Sequence, residues 1–168
     1  MFLIFVISDF NLTETKYVTI LVTYMAGNTR LATAIHVAGM LSIAESTPLN
    51  SEAIAKSCNT NPVVIRRIIG QLTKHGLVEV KMGTGGGSRL TKKPTELSLG
   101  EIYVAMDEGV LFEVPQFEEN FHCELGKIVR PVLADVLSEV EKGLLEKLNQ
   151  ITLADVIEMV MAKMPDKC

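Results

Sequence analysis

The sequence predicts a mainly α-helical fold that carries one small β-hairpin. Three observations predict it. Capped segments with apolar residues at helical spacing recur between about residue 28 and the C-terminus. A single pair of β-leaning runs, "LVEVKM" and "SRLTK", is joined by the glycine-rich "GTGGG". A long segment over about 131–148 repeats valine or leucine every fourth residue.

The elements follow in chain order. Residues 1–24 form an extension of doubtful status. "MFLIFVI" is too short to span a bilayer and lacks the basic start of a signal peptide, "KYVTILVTYM" has strand-like composition, and Met25 is an alternative start. The first helix is expected over about 28–45, with Leu31, Ile35, Ala38 and Leu41 inward and His36 packed. After "STPLN", a short helix is expected in "SEAIAKSC", with Glu52 in its first turn and Cys58 in the core. In "NTNPVVIRRIIGQLTKHG", Asn61 suits an N-cap and Pro62 the first helical position. Ile65, Ile68, Ile69 and Leu72 make one buried stripe, and Gly76 ends the helix. Two short helices, two or three residues apart, with arginines outward on the second, read as a helix-turn-helix. The hairpin that follows would be its wing. "SLGE" is a capping box opening a helix through Asp107, and "EGVLFEVPQFEENFH" reads as an acidic loop. The long helix then carries Val132, Val136, Val140, Leu144 and Leu148, flanked by Leu133 and Leu137, and "TLAD" caps a last helix. The domain reading is 25–108 for a winged helix-turn-helix, 109–126 for a loop and 127–168 for dimerisation helices.

Charge separates one part of the chain from the rest. Of 168 residues, 48% are hydrophobic and 21% charged, with a net charge of −4, as in an ordinary globular chain. Over residues 61–94, seven Lys/Arg face a single acid, Glu79, a local +6 that leaves −10 elsewhere. That asymmetry points to an anion-binding face on an acidic body. The three cysteines, Cys58, Cys123 and Cys168, form no CxxC pair, so neither a disulfide framework nor a zinc site is expected, and a reducing cytoplasm fits.

The glycine loop raises the question of whose phosphates it meets. No GxxxxGK[ST] occurs there, and the partial GxGxxG leads into "SRLTKKP" rather than a helix, so no helix N-terminus stands behind it to hold a nucleotide. A plain hairpin needs only two turn residues, and three consecutive glycines cost backbone entropy. The loop is flanked by Lys81, Arg89, Lys92 and Lys93. Backbone phosphates of a duplex are the expected partner.

The stretch from "SEAIAKSC" through "LSLGEIYVAMDEG" resembles the winged-helix core of Rrf2-type bacterial transcriptional regulators, through "HGLV", "GTGGGS" and "LSLGEI". The likeness runs from about residue 28 to the C-terminus and implies a dimeric DNA-binding regulator, most often a repressor. Two departures stand out. Ser88 replaces the wing aromatic, and the loop before the long helix holds only Cys123 where cluster-binding members carry three cysteines. The resemblance therefore implies a cluster-free member with no cofactor, because a [2Fe–2S] cluster normally takes four protein ligands.

The expected DNA contacts are Asn61, Val63, Arg66, Arg67 and Lys74 on the second helix, with Gly85, Gly86, Ser88 and Arg89 on the wing. Arg66 and Arg67 are the candidates for reading guanine, though either can instead contact phosphate or pair with a glutamate. The partners expected are double-stranded DNA and a second copy of the chain, with no membrane and no assigned effector. Cys123 beside His122 is the candidate redox sensor. The alternative function is a winged helix that binds a protein. No nucleophile–base pair or metal-ligand spacing suggests an enzyme.

Overall fold

The computed structural model describes residues 27–44, 47–83, 85–106, 112, 114 and 123–164. Its elements are α1 (Gly27–Ile43), α2 (Ser51–Ser57), α3 (Pro62–Lys74), β1 (Val78–Lys81), β2 (Gly87–Leu90), a 3-10 turn (Pro94–Glu96), α4 (Leu99–Met106), α5 (Glu124–Asn149) and α6 (Leu153–Met161). This is the expected mainly helical fold with one antiparallel hairpin, β1–β2. The readings of residues 1–24, Asp107, His122 and most of the acidic loop lie outside the described residues.

The core forms where α1, α3 and α4 meet. Ala34, Val37, Ala38 and Leu41 of α1 are buried, with Leu31 and Ile35 only partly so. Ala38 and Leu41 are thus inward as expected, while Ala34 and Val37 take the place of Leu31 and Ile35 at the centre of the buried face. His36, expected to be packed, is exposed, and its Nε2 lies 3.1 Å from Ser57 Oγ. Ile65, Ile68, Ile69 and Leu72 of α3 are all buried, as their spacing predicts. Each such side chain contributes about 1.5–3 kcal/mol by leaving water.

Local sequence fixes most of the boundaries. Asn50 Oδ1 accepts from Ala53 N–H at 2.8 Å and Asn61 Oδ1 from Val63 N–H at 2.8 Å, so both helices of the pair are capped. The turn between them spans four residues, 58–61, rather than two or three, and turns on Asn59 in the left-handed region at φ 47°. Gly76 at φ +70° closes α3, with Leu77 N–H donating to Leu72 O at 2.9 Å. Both capping boxes form, Ser98 with Glu101 and Thr152 with Asp155.

Two departures concern the C-terminal region. The long helix begins at Glu124, not near Pro131, and Pro131 lies inside it. Proline removes one N–H from the ladder there, yet Leu125, Ile128, Val129 and Val132 continue the helical spacing across it. The expected loop to residue 126 is therefore three residues shorter at that end. The α5–α6 junction also returns to the winged helix. Leu153 N–H donates to Leu97 O at 2.8 Å, Leu99 N–H donates to Ile151 O at 2.9 Å, and Leu153 is fully buried.

Candidate nucleic-acid interface

The exposed side of α3 is set by the buried one. With Ile65, Ile68, Ile69 and Leu72 inward, the 100° step of a helix turns Val63, Arg66, Arg67, Gly70 and Lys74 outward, and all five are exposed. Two arginines and a lysine thus share the outward side of a helix whose opposite side is core. The N-terminus of that helix is free of acids, with Pro62 at its first position. Asn61 is exposed, but its Oδ1 is committed to the cap, which leaves the amide NH2 to meet a partner.

The wing is fastened to the end of α3. Thr91 N–H donates to Leu77 O at 3.1 Å and Thr91 Oγ1 donates to Gly76 O at 2.5 Å. Its register pairs Val78 with Leu90, Glu79 with Arg89, Val80 with Ser88 and Lys81 with Gly87. Ser88 is also bridged on its other side by Leu49, through Ser88 N–H to Leu49 O at 2.9 Å and the reciprocal bond at 3.3 Å. Ser88 is consequently buried at 5% exposure, and its expected place among the DNA-facing residues is corrected. With its N–H and C=O both taken by Leu49 and Val80 paired on its other side, Ser88 has no side left for a ligand.

The glycines, too, have reasons inside the chain. A Cβ on Gly86 would sit 2.2 Å from Lys81 O, and one on Gly87 would sit 2.8 Å from Leu49 O. The tight turn and the approach of residues 48–49 require these two glycines, so they are not by themselves evidence of a partner. Gly85, at φ +76°, has open space around it and remains at the exposed tip.

Carboxylates meet several of the basic side chains. Glu52 Oε1 accepts from Arg66 Nη2 at 2.5 Å, Glu79 Oε1 from Arg89 Nε at 2.6 Å, and Glu101 Oε1 from Lys92 Nζ at 2.5 Å. The fold brings Glu52 and Glu101 to the basic segment from outside it. Adding these two acids takes its count from +6 to +4. Arg67, Lys74, Lys81 and Lys93 have no ion-pair partner among the described residues. The Glu52 carboxyl is held below its usual value of 4.5 by its own backbone N–H and then by Arg66, and Glu101 by Lys92 first. Both are ionised near neutrality, so the pairs form above about pH 4.5 and are lost as pH falls through the lowered values. Neither glutamate carries a sequence signal for this role, since each meets its partner at a separation with no helical or strand period.

Of the other singled-out groups, Cys123 is exposed as the N-cap residue of α5, with no side-chain capping bond. Cys58 is half-buried against the core, and burial pushes its thiol pKa up. No cluster of three or more His, Cys, Asp or Glu that could hold a metal occurs among the described residues. No described helix is long and apolar enough to cross a membrane.

With this geometry established, comparison with known proteins is consistent. Residues 27–159 match the Rrf2 family model, described as an iron-dependent transcriptional regulator. The chain is 38% identical over 131 residues to YwnA of Bacillus subtilis, named as an HTH-type transcriptional regulator, covering 77% of this chain and 96% of YwnA. A crystal structure described as a DNA binding protein superposes with a TM-score of 0.60 at 35% identity, covering 76% of this chain and 98% of the other. IscR of T. potens shares the fold, with a TM-score of 0.60 at 23% identity over 83% of this chain and 91% of the other.

Proposed function

Because this chain belongs to the Rrf2 family of DNA-binding transcriptional regulators, we propose that it acts as a cytoplasmic homodimeric repressor, without catalytic activity, that reads a pseudo-palindromic operator. The observation that carries the DNA reading is the outward face of α3, cationic over a wholly buried isoleucine and leucine stripe.

In this reading α3 enters the major groove. Arg66 reads a guanine edge, Val63 rests against a thymine methyl, and Arg67 and Lys74 neutralise phosphates. The Asn61 amide NH2 meets a phosphate at the N-terminus of α3, where the helix dipole favours an anion. Lys81, Arg89 and the backbone at Gly85 and Gly86 lie along the adjacent backbone, positioning the protein rather than specifying sequence.

The second copy is proposed to dock on α5. None of its 26 residues is buried, and Leu125, Ile128, Val132, Val136, Val140 and Leu144 are 37–69% exposed. An apolar stripe of this length along a helix about 39 Å long calls for a partner of the same kind. Twofold pairing there presents two copies of α3 to two half-sites.

The residues present do not fit an iron–sulfur cluster. Between Gly109 and Gly126 there is one cysteine, and Cys58 lies half-buried on the winged-helix core. A cluster-free regulator is accordingly proposed. Cys123 supports a second reading, a thiol switch, because its exposed sulfur sits at the first turn of the proposed dimer helix. Cys123→Ser separates the two readings, preserving DNA binding while removing any response to peroxide.

The test of the main reading is a gel shift on the chain's own promoter region across a salt series. For about four neutralised phosphates, affinity falls about a hundredfold between about 50 and 200 mM salt, and more steeply if both protomers contribute fully. Binding that is absent or insensitive to salt favours a winged helix that docks on protein.

A further inference from the structure

Glu52 poses a problem for any DNA-binding face, since an acid beside the reading helix repels phosphates whatever the sequence. We propose that Glu52 is a specificity-determining positioning residue, whose carboxylate fixes the Arg66 guanidinium in the pose that reads a guanine edge. This rests on α3 being the DNA-reading helix.

The geometry supports it at both ends of the arginine. The Arg66 backbone is held between Ile65 and Ile68, both buried. Its head is held by Glu52 Oε1, which accepts from Nη2 at 2.5 Å. Glu52 is itself held, since Ser51 Oγ donates to its Oε2 at 3.2 Å, and the turn carrying both residues is capped by Asn50. One hydrogen of Nη2 is thereby used. The second Nη2 hydrogen lies parallel to the N–H beside it, on Nη1 or Nε, and neither of those atoms has another partner among the described residues, which leaves one parallel pair of N–H groups for the O6 and N7 of guanine. Arg67, the neighbouring residue, has no ion-pair carboxylate among the described residues and suits a phosphate, which accepts from many directions.

Stability is not what the pair supplies. The two side chains are 57% and 59% exposed, and ion pairs so open to water add little to folding. What the carboxylate does provide is orientation. A long, free arginine must give up its rotamer freedom when it engages a base, whereas an anchored one has already done so.

The experiment uses the full chain with Glu52→Ala, Glu52→Gln, Arg66→Ala and the Glu52→Ala/Arg66→Ala double variant. Each is titrated at one salt concentration against a footprinted promoter site and an unrelated duplex of equal length. We expect Glu52→Ala to lower the specific-to-nonspecific affinity ratio about tenfold, with nonspecific binding unchanged or tighter. Glu52→Gln, which keeps an acceptor oxygen, falls between. In the Arg66→Ala background the same change leaves the ratio where it is. Replacing the contacted guanine by 7-deazaguanine weakens the wild type but not Glu52→Ala. The inference is overturned if Glu52→Ala tightens both duplexes by one common factor, or if it lowers the ratio equally without Arg66. A wild type that does not distinguish the two duplexes sinks the DNA-reading premise itself. Thermal melts of each variant confirm that the folded chain is being compared.

Discussion

Single residues on this chain have costs that depend on what lies within a few ångströms. Gly86 and Gly70 make the contrast. A methyl group on Gly86 would meet Lys81 O at 2.2 Å, a backbone atom that cannot swing away. Gly86→Ala should therefore destabilise the protein by about 1–3 kcal/mol, read as a lowered urea midpoint. Gly70 lies in the interior of α3 with nothing within 4 Å of the same position. There the added methyl removes unfolded-state freedom and meets no clash. Gly70→Ala should raise stability by about 0.5–1 kcal/mol, while adding bulk to the face that would enter the groove. Both glycines are plain in the sequence, and only their surroundings give the two substitutions opposite signs.

Among the elements, α5 behaves differently from the rest. Its apolar residues recur every fourth position, while a helix turns once in 3.6 residues. Each step of four therefore advances the stripe by about 40° around the helix. Leu148, at one end, packs on the core, so Val136 and Ile128 have rotated away from it and stand exposed. One straight helix cannot keep such a stripe against a single surface, and this is the physical basis for the proposed second copy. Val136→Glu places a charge in the middle of that stripe. Sedimentation at micromolar concentration should then show a dimer becoming a monomer. Monomer stability should change by no more than about 0.5 kcal/mol, because Val136 is 52% exposed. Pro131 masks the true start of α5 in the sequence. Pro131 suggests a first helical position, but a proline's fixed φ is also compatible with a helix interior at the loss of one hydrogen bond.

Across the whole molecule, the C-terminal segment is part of the winged-helix body rather than an appendage to it. Leu153 is fully buried against residues more than fifty positions earlier, and α6 packs on the 3-10 turn and α1. Ser98 and Thr152 bridge the two segments, and Gly100 lets the Asn149 side chain approach the start of α4 so closely that a Cβ there would overlap it. Leu153→Ala should accordingly cost about 2–5 kcal/mol, measured by denaturant unfolding. The unfolding should be one cooperative transition of winged helix and C-terminus together, since they share a core.

Local periodicity and capping chemistry were enough to place the helix pair, the hairpin, both capping boxes and the buried stripe of α3, because those depend on neighbours within a few residues. The outward arginines follow from that stripe by helical geometry alone. What lay beyond the sequence were the meetings of distant residues. Glu52 reaches Arg66 from another helix, Leu49 seals Ser88 from the far edge of the wing, and Pro48 and Leu49 impose Gly87. Such contacts carry no period along the chain, and they exist only once the hydrophobic core has drawn the elements together.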